Sequence, residues 1–298
     1  MLTDSSILKP VDSFLFMEIR QYHPIPRLAE MQNNLLAISR YAESGRHSIE
    51  LKANTSVTPF GILPLAVYAE NQGINITYGR NTTDRKRYLR TINFPEGTSN
   101  LSRLKQSTYL PLSKPDISEK DLYLARYEEN ILRNIKSPEI RSSFQNSLKY
   151  LTSEMVTNIR EHARVQRYWI MAQYWRKTDT CEIAIADSGI GYLQSYVGTE
   201  YEVDSHEEAI KNAILGYSSK GDDERGTGIP GLINIFCEGY GGCVAIMSGD
   251  RLLYMKNKVK DFYGLDINWQ GVFIGIHFKI SRHPRHTSRF SIHRIALF

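Results

Sequence analysis

The chain has 298 residues, 41% hydrophobic and 23% charged, a balance that excludes a disordered chain and a coiled-coil rod. At roughly 150 residues per domain, this length predicts about two domains. The net charge of +5 is local: residues 277–298 carry Lys279, Arg282, Arg285, Arg289 and Arg294 and no acid, and the other 32 basic residues balance 32 acidic ones. The body is therefore neutral. The end reads as a short basic tail, either solvated or able to dock on nucleic acid or an acidic protein surface.

No apolar run approaches the roughly 18–20 residues that cross a bilayer, so no membrane partner is expected. The opening residues, Met-Leu-Thr-Asp-Ser-Ser, carry no basic n-region or apolar core, so no signal peptide is expected either. Three cysteines, Cys181, Cys237 and Cys243, are too few and too irregular for a disulfide framework or a zinc site. A reducing, cytoplasmic setting fits them.

Residues 1–112 mix short apolar runs with turn signals and read as a small α/β domain. His47 to Lys52 is a strand, Pro59 to Glu70 a buried helix opening on a proline, and Ile74 to Tyr78 the next strand, with Asn71-Gln-Gly73 between helix and strand. The segment Gly97-Thr-Ser-Asn-Leu-Ser102, with Pro111 and Pro115 after it, reads as a linker.

Residues 113–150 read as a helical connector. Glu119 to Arg133 is charged and amphipathic, and Ser137-Pro138-Glu139 starts a second helix with an N-cap and a proline in the first turn. That helical pattern runs through Tyr150 towards His162, with room for a break. Strands are expected at Tyr168–Tyr174, Cys181–Ala186, Cys243–Ser248 and Val272–Ile280, and a helix at about Ile229–Glu238. Alternation followed by closely spaced strands predicts an α/β sandwich with a mixed sheet, not a doubly wound fold.

Three constellations carry chemistry. Glu154, Asn158 and His162 recur every four residues, which stacks a carboxylate, an amide and an imidazole on one helical face. The amide oxygen is a hard ligand suited to Mg²⁺, and the carboxylate can take a proton from water. Next, Asp187-Ser-Gly189-Ile-Gly191 follows a strand; the aspartate can accept from an exocyclic amine, and the glycines let backbone approach a flat base. Last, Arg225-Gly226-Thr227-Gly228-Ile-Pro-Gly231 opens a helix and suits phosphate. The polar stretch before it, from Gly216 through Ser219 and Lys220 to Arg225, reads as a lid whose cations can reach a phosphate chain. No Walker A loop and no Rossmann fingerprint occurs.

Taken in order, these elements resemble the GHKL ATPase superfamily, the Bergerat fold of histidine kinases, DNA gyrase B, a heat-shock chaperone and MutL. The resemblance covers about residues 145–280 and rests on Glu154-x-x-x-Asn158, Asp187-x-Gly189-x-Gly191 and Gly226-Thr227-Gly228, with His162-Ala and Gly241-Gly-Cys-Val-Ala-Ile-Met-Ser248 in matching places. It implies ATP and Mg²⁺ as ligands. Glu154 would be the general base and Asn158 the metal ligand. Asp187 would read adenine above Gly189 and Gly191, while Gly226 and Gly228 would cradle phosphates. One departure is Gln270-Gly271-Val272, where many members carry a threonine whose hydroxyl supports the adenine site.

The branch is narrower than the family. No histidine lies in residues 116–150, and His23 sits in Tyr22-His-Pro-Ile-Pro26, so an autophosphorylating sensor kinase is not expected. The run from Ile49 to Thr77 also resembles a STAS domain, with Thr58-Pro-Phe-Gly61 where that family carries a phosphorylatable serine. The combination implies a regulatory protein partner and leaves a homodimer open. An ATP-hydrolysing switch and a serine/threonine kinase of the anti-sigma type are the two activities it implies. Nucleotide sensing without turnover is a third.

Overall fold

The computed structural model describes residues 26–51, 57–78, 84–99, 108–217 and 228–281. The helices are α1 (Pro26–Glu43), α2 (Pro59–Asn71), α3 (Asp84–Thr91), α4 (Lys120–Tyr127), α5 (Pro138–Asn158), α6 (Gly191–Tyr196), α7 (His206–Leu215) and α8 (Gly228–Ile233). The strands are β1 (Ser48–Glu50), β2 (Asn75–Thr77), β3 (Tyr109–Ser113), β4 (Trp169–Trp175), β5 (Thr180–Ala186), β6 (Cys243–Lys256) and β7 (Val259–Lys279). Most of the basic tail, from residue 282 on, lies outside the described residues.

The protein is an α/β sandwich built on a five-stranded sheet of order β3-β4-β5-β7-β6. Every pairing in that sheet is antiparallel. A second, two-stranded sheet pairs β1 with β2 in parallel, and an isolated parallel bridge joins Thr98 to Ser113 of β3. The sandwich is present as expected, but the strand pairing of its sheet is antiparallel throughout and not mixed. The expected strand–helix–strand unit is there, with α2 joining the two parallel strands.

Alternation along the strands divides the core in two. In β5, Ile183 and Ile185 point to one face, where they pack with Phe144, Leu148, Leu151 and Met155 of α5, Ile210 of α7 and Leu232 of α8. Ala184 and Ala186 point to the other face, where they pack with Leu28, Met31 and Leu35 of α1 and with Phe60 and Leu63 of α2. Helix α2 is buried from Pro59 to Ala69, as a helix apolar on all sides must be. It is seated by small residues: Gly275 pairs with Ala245 and Ala184, and a Cβ at Gly275 would stand 2.6 Å from the Phe60 ring. Burying a phenylalanine is worth about 1.5–3 kcal/mol, so this contact ties α2 to the sheet.

The boundary expected at 112/113 falls inside β3, and α2 shares its core with β4, β5 and β7. Strands β1 and β2 have three residues each, too short to cover such a helix, so the larger sheet supplies the surface. Pro111, read as part of a linker, sits in β3, an edge strand where a missing N–H is tolerated. Thr58 caps α2: its hydroxyl accepts from the Gly61 N–H at 3.3 Å, and it is 7% exposed.

Helix α5 begins as its sequence predicts, with Ser137 accepting from the Ile140 N–H at 3.3 Å. The break falls after Asn158, where residues Ile159–Ala163 form a wider π-type turn that Arg164 ends with φ of 58°. The cysteines are free and buried, and among the described residues no helix is long and apolar enough to cross a membrane.

Candidate functional site

A cleft opens on the α5 side of the sheet, with about 890 Å³ of empty space, solvent at its mouth included. Its walls come from four places. Glu154, Asn158 and His162 line it from α5 and the turn that follows, and Asp187, Gly191 and Tyr192 from the β5–α6 connection. Tyr196, Ala213 and Tyr217 close one side, Gly228 and Ile229 another, and Val272 and Ile274 form part of the floor.

The four-residue spacing on α5 therefore has a geometric result: all three polar side chains face one space. Helix α8 approaches them closely because its first turn is glycine-rich. A Cβ at Gly228 would stand 2.7 Å from Glu154 Oε2, and one at Gly231 would stand 2.0 Å from the Tyr150 hydroxyl. Tyr150 and Glu154 are one turn apart on α5, as Gly228 and Gly231 are on α8, so the glycines form a notch for that face. Gly231→Ala should cost about 1–3 kcal/mol by overpacking, read as a lowered urea midpoint. An unchanged midpoint would mean that the notch is not closely packed.

Asp187 sits at the end of β5 and is 4% exposed. Its Oδ1 accepts from the Gly189 N–H at 2.8 Å, and its own N–H donates to the Val272 carbonyl at 3.0 Å. Burial pushes its carboxyl up to about 6, against the lowering effect of hydrogen bonding to the carboxyl by the Gly189 and Val272 backbone. Gly189 does not line the cleft; it lies behind it, where a Cβ would meet the Ala163 carbonyl oxygen at 2.2 Å. Gly191 adopts φ of 72° and lets the chain turn into α6.

A bulge in β7 faces this loop. Between the pairs Met247–Phe273 and Gly249–Trp269, β6 has the single residue Ser248, whereas β7 has Gln270, Gly271 and Val272. Bulges re-aim backbone beside sites, and this one does so three times. Gln270 Nε2 donates to the Ser188 carbonyl at 2.8 Å, Val272 receives the Asp187 N–H, and Gly271, at φ of 82°, presses on Asp187 itself. A Cβ on Gly271 would stand 2.2 Å from the Asp187 carbonyl oxygen.

Glu154 is half-buried, and burial, then the neighbouring Glu161 charge, raises its carboxyl above the usual range. That moves it towards the range useful to a general base. Among the described residues no cluster of three or more His, Cys, Asp or Glu side chains could hold a metal. The hard oxygens of this wall are the Glu154 carboxylate and, one turn on, the Asn158 carboxamide; Mg²⁺ commonly takes few protein ligands and completes its shell with phosphates and water.

Sequence spacing brought Glu154, Asn158, His162, Asp187, Gly191 and Gly228 to one cleft. Ser219, Lys220, Arg225, Gly226 and Thr227 lie outside the described residues. Three tyrosines were missed. Tyr192, Tyr196 and Tyr217 line the cleft, Tyr196 donates to the Tyr217 carbonyl at 2.8 Å, and Tyr217 stacks on Tyr201 with ring centroids 4.6 Å apart. The available signal was adjacency: Tyr192 directly follows Gly191, and Tyr217 is the second residue of the polar stretch that starts at Gly216. No family model, no curated protein and no solved structure matches the chain.

Proposed function

We propose that the cleft binds ATP and that the protein is a GHKL-type, Mg²⁺-dependent ATPase switch. The observation that carries this reading is the convergence of the Glu154–Asn158–His162 face, the Asp187 loop and Gly228 on one cleft. In this reading the base lies at the Asp187 end, among Ile185, Tyr192 and Val272. Asp187 accepts a hydrogen bond from the exocyclic amine of adenine. The phosphates extend towards Gly228, beside which Glu154 stands.

Glu154 takes the proton of the attacking water, and the raised proton affinity of its carboxyl suits that task. A bound Mg²⁺ would neutralise phosphate charge, and Asn158 is the side chain that would hold it. His162 and Tyr217 exclude water from the cleft. The segment 216–225, most of it outside the described residues, is the part that reports nucleotide to a protein partner. The βαβ unit of β1, α2 and β2 supports the STAS-like reading of the first domain, and with it a role in partner switching.

ATP labelled at the γ-phosphate, incubated with the protein and Mg²⁺, should release its label as free phosphate. Label retained on protein would replace hydrolysis by phosphotransfer. Bound ATP that keeps its label would replace both by sensing.

The raised carboxyl of Asp187 gives a pH signature with two opposite signs. An ionised carboxylate is the stronger acceptor for the amine, so ATP affinity should fall as pH drops below about 6. The ligand-free protein behaves the other way. A carboxyl raised in the folded state favours folding below its ordinary value near 3.8, and that contribution disappears as pH rises to about 6. Titrations of ATP and urea at pH 5 and pH 7 check both signs; affinity unchanged across that range would remove Asp187 from the contact.

A further inference from the structure

We propose that Ser248, which does not itself line the cleft, is the positioning residue that sets base discrimination by holding Asp187 in place; this rests on the ATP-binding reading above. Ser248 is 1% exposed on β6, directly opposite the three-residue bulge of β7. A hydroxyl has one proton to give and lone pairs to receive, and here both capacities are used. Its Oγ donates to the Gly271 carbonyl at 3.1 Å and accepts from the Tyr192 N–H at 3.2 Å. It also fills the space beside Gly191, where a Cβ would stand 2.9 Å from Oγ.

One hydroxyl thus joins the two backbone segments that flank Asp187. Gly271 is the segment in direct contact with the aspartate: a Cβ there would stand 2.5 Å from Asp187 Oδ1. Gly191 and Tyr192 are the segment that turns the chain away after it. The loop is also tied by the Asp187 N–H to the Val272 carbonyl, by the Ile190 N–H to the Ala163 carbonyl, and by the exposed Gln270 side chain, which reaches Ser188 and not Asp187. Without the Ser248 hydroxyl, a part-buried N–H and a buried carbonyl lose their partner, and Gly271 is no longer joined to the turn at Tyr192. An acceptor displaced by a fraction of an ångström still leaves a cleft that takes a purine. It no longer discriminates a ring amine from a ring carbonyl.

The test is the ratio of Kd for ITP, which lacks the exocyclic amine, to Kd for ATP. The wild-type ratio should be about 10–200. Ser248→Ala should weaken ATP binding about 5- to 10-fold and ITP binding little, so the ratio narrows by that factor. Ser248→Thr, which keeps the hydroxyl, should restore it, and Gln270→Ala should leave it unchanged. Equal losses for both nucleotides, or none, would make Ser248 a packing residue only and overturn the proposal. Wild-type protein that binds neither nucleotide would instead overturn the functional reading on which it stands. If Ser248→Ala does not fold, Ser248→Cys fills the same space with a weak hydrogen-bonding sulfur and should narrow the ratio in the same way. In the wild-type protein the Tyr192 amide should exchange slowly with solvent; fast exchange would contradict the clamp.

Discussion

Asp187→Asn should weaken ATP binding by about 10–200-fold and leave the protein folded. A hydrogen bond to a charged acceptor is worth about 1.5–3 kcal/mol, and that range is the stated loss in affinity. Asparagine keeps the size of the side chain, and its amide oxygen can still accept from the Gly189 N–H that Asp187 holds at 2.8 Å. The fold then gains slightly, because a carboxyl already destabilised by burial is replaced with a neutral group. Weaker binding together with equal or higher stability is the expected pair of results, from calorimetric titration and urea unfolding. Unchanged affinity would remove Asp187 from the ligand contact.

Glu154→Gln should lower ATP turnover by about 10²–10⁴-fold, the usual contribution of a positioned general base, with ATP affinity nearly unchanged. Glutamine retains the shape that sits beside Gly228 and loses only the ability to take a proton. Phosphate release and equilibrium binding, measured on the same sample, separate the two effects. Turnover that survives the substitution would mean that another group activates the water. Lost binding would mean that Glu154 serves the ground state instead.

Much of the scaffold was legible because local chemistry and tertiary packing agree there. Ser137-Pro138 starts α5, Pro59 starts α2, and the four-residue spacing from Glu154 to His162 places its members on one face. Strand β5 and the Asp187 turn were legible for the same reason. Elsewhere a local signal misled. Gly249 and Gly271 look like strand ends, yet β6 and β7 run through them as a long hairpin, because irregular pairing at both glycines absorbs the break. Pro111 looks like linker and is edge strand. The division at residue 112 followed the linker signals of Gly97–Ser102, Pro111 and Pro115, but the groove for Phe60 is built from Ala184, Ala245 and Gly275, far along the chain.

The site divides in a similar way. Residues in a sequential motif could be found by spacing; residues that join motifs could not. Ser248 acts on the Asp187 loop from another strand, 56 residues from its partner Tyr192. Tyr150 meets Gly231 across two helices, and no pattern within α5 marks it. Val272, read from the sequence as standing where many members of the GHKL superfamily carry a threonine, lines the cleft as an apolar wall. The buried hydroxyl of this region belongs to Ser248, on the neighbouring strand.

The central claim is that this cleft, and no other surface, takes the adenine of ATP. An ATP analogue with a photoreactive azide on the adenine ring tests it most directly, with the labelled peptides identified by mass spectrometry. The account predicts label on the segment 185–196 or on residues 272–274, removed by excess ATP and strongly reduced in Asp187→Asn. Label confined to the α1–α2 side of the sheet, or label that excess ATP does not displace, would contradict it.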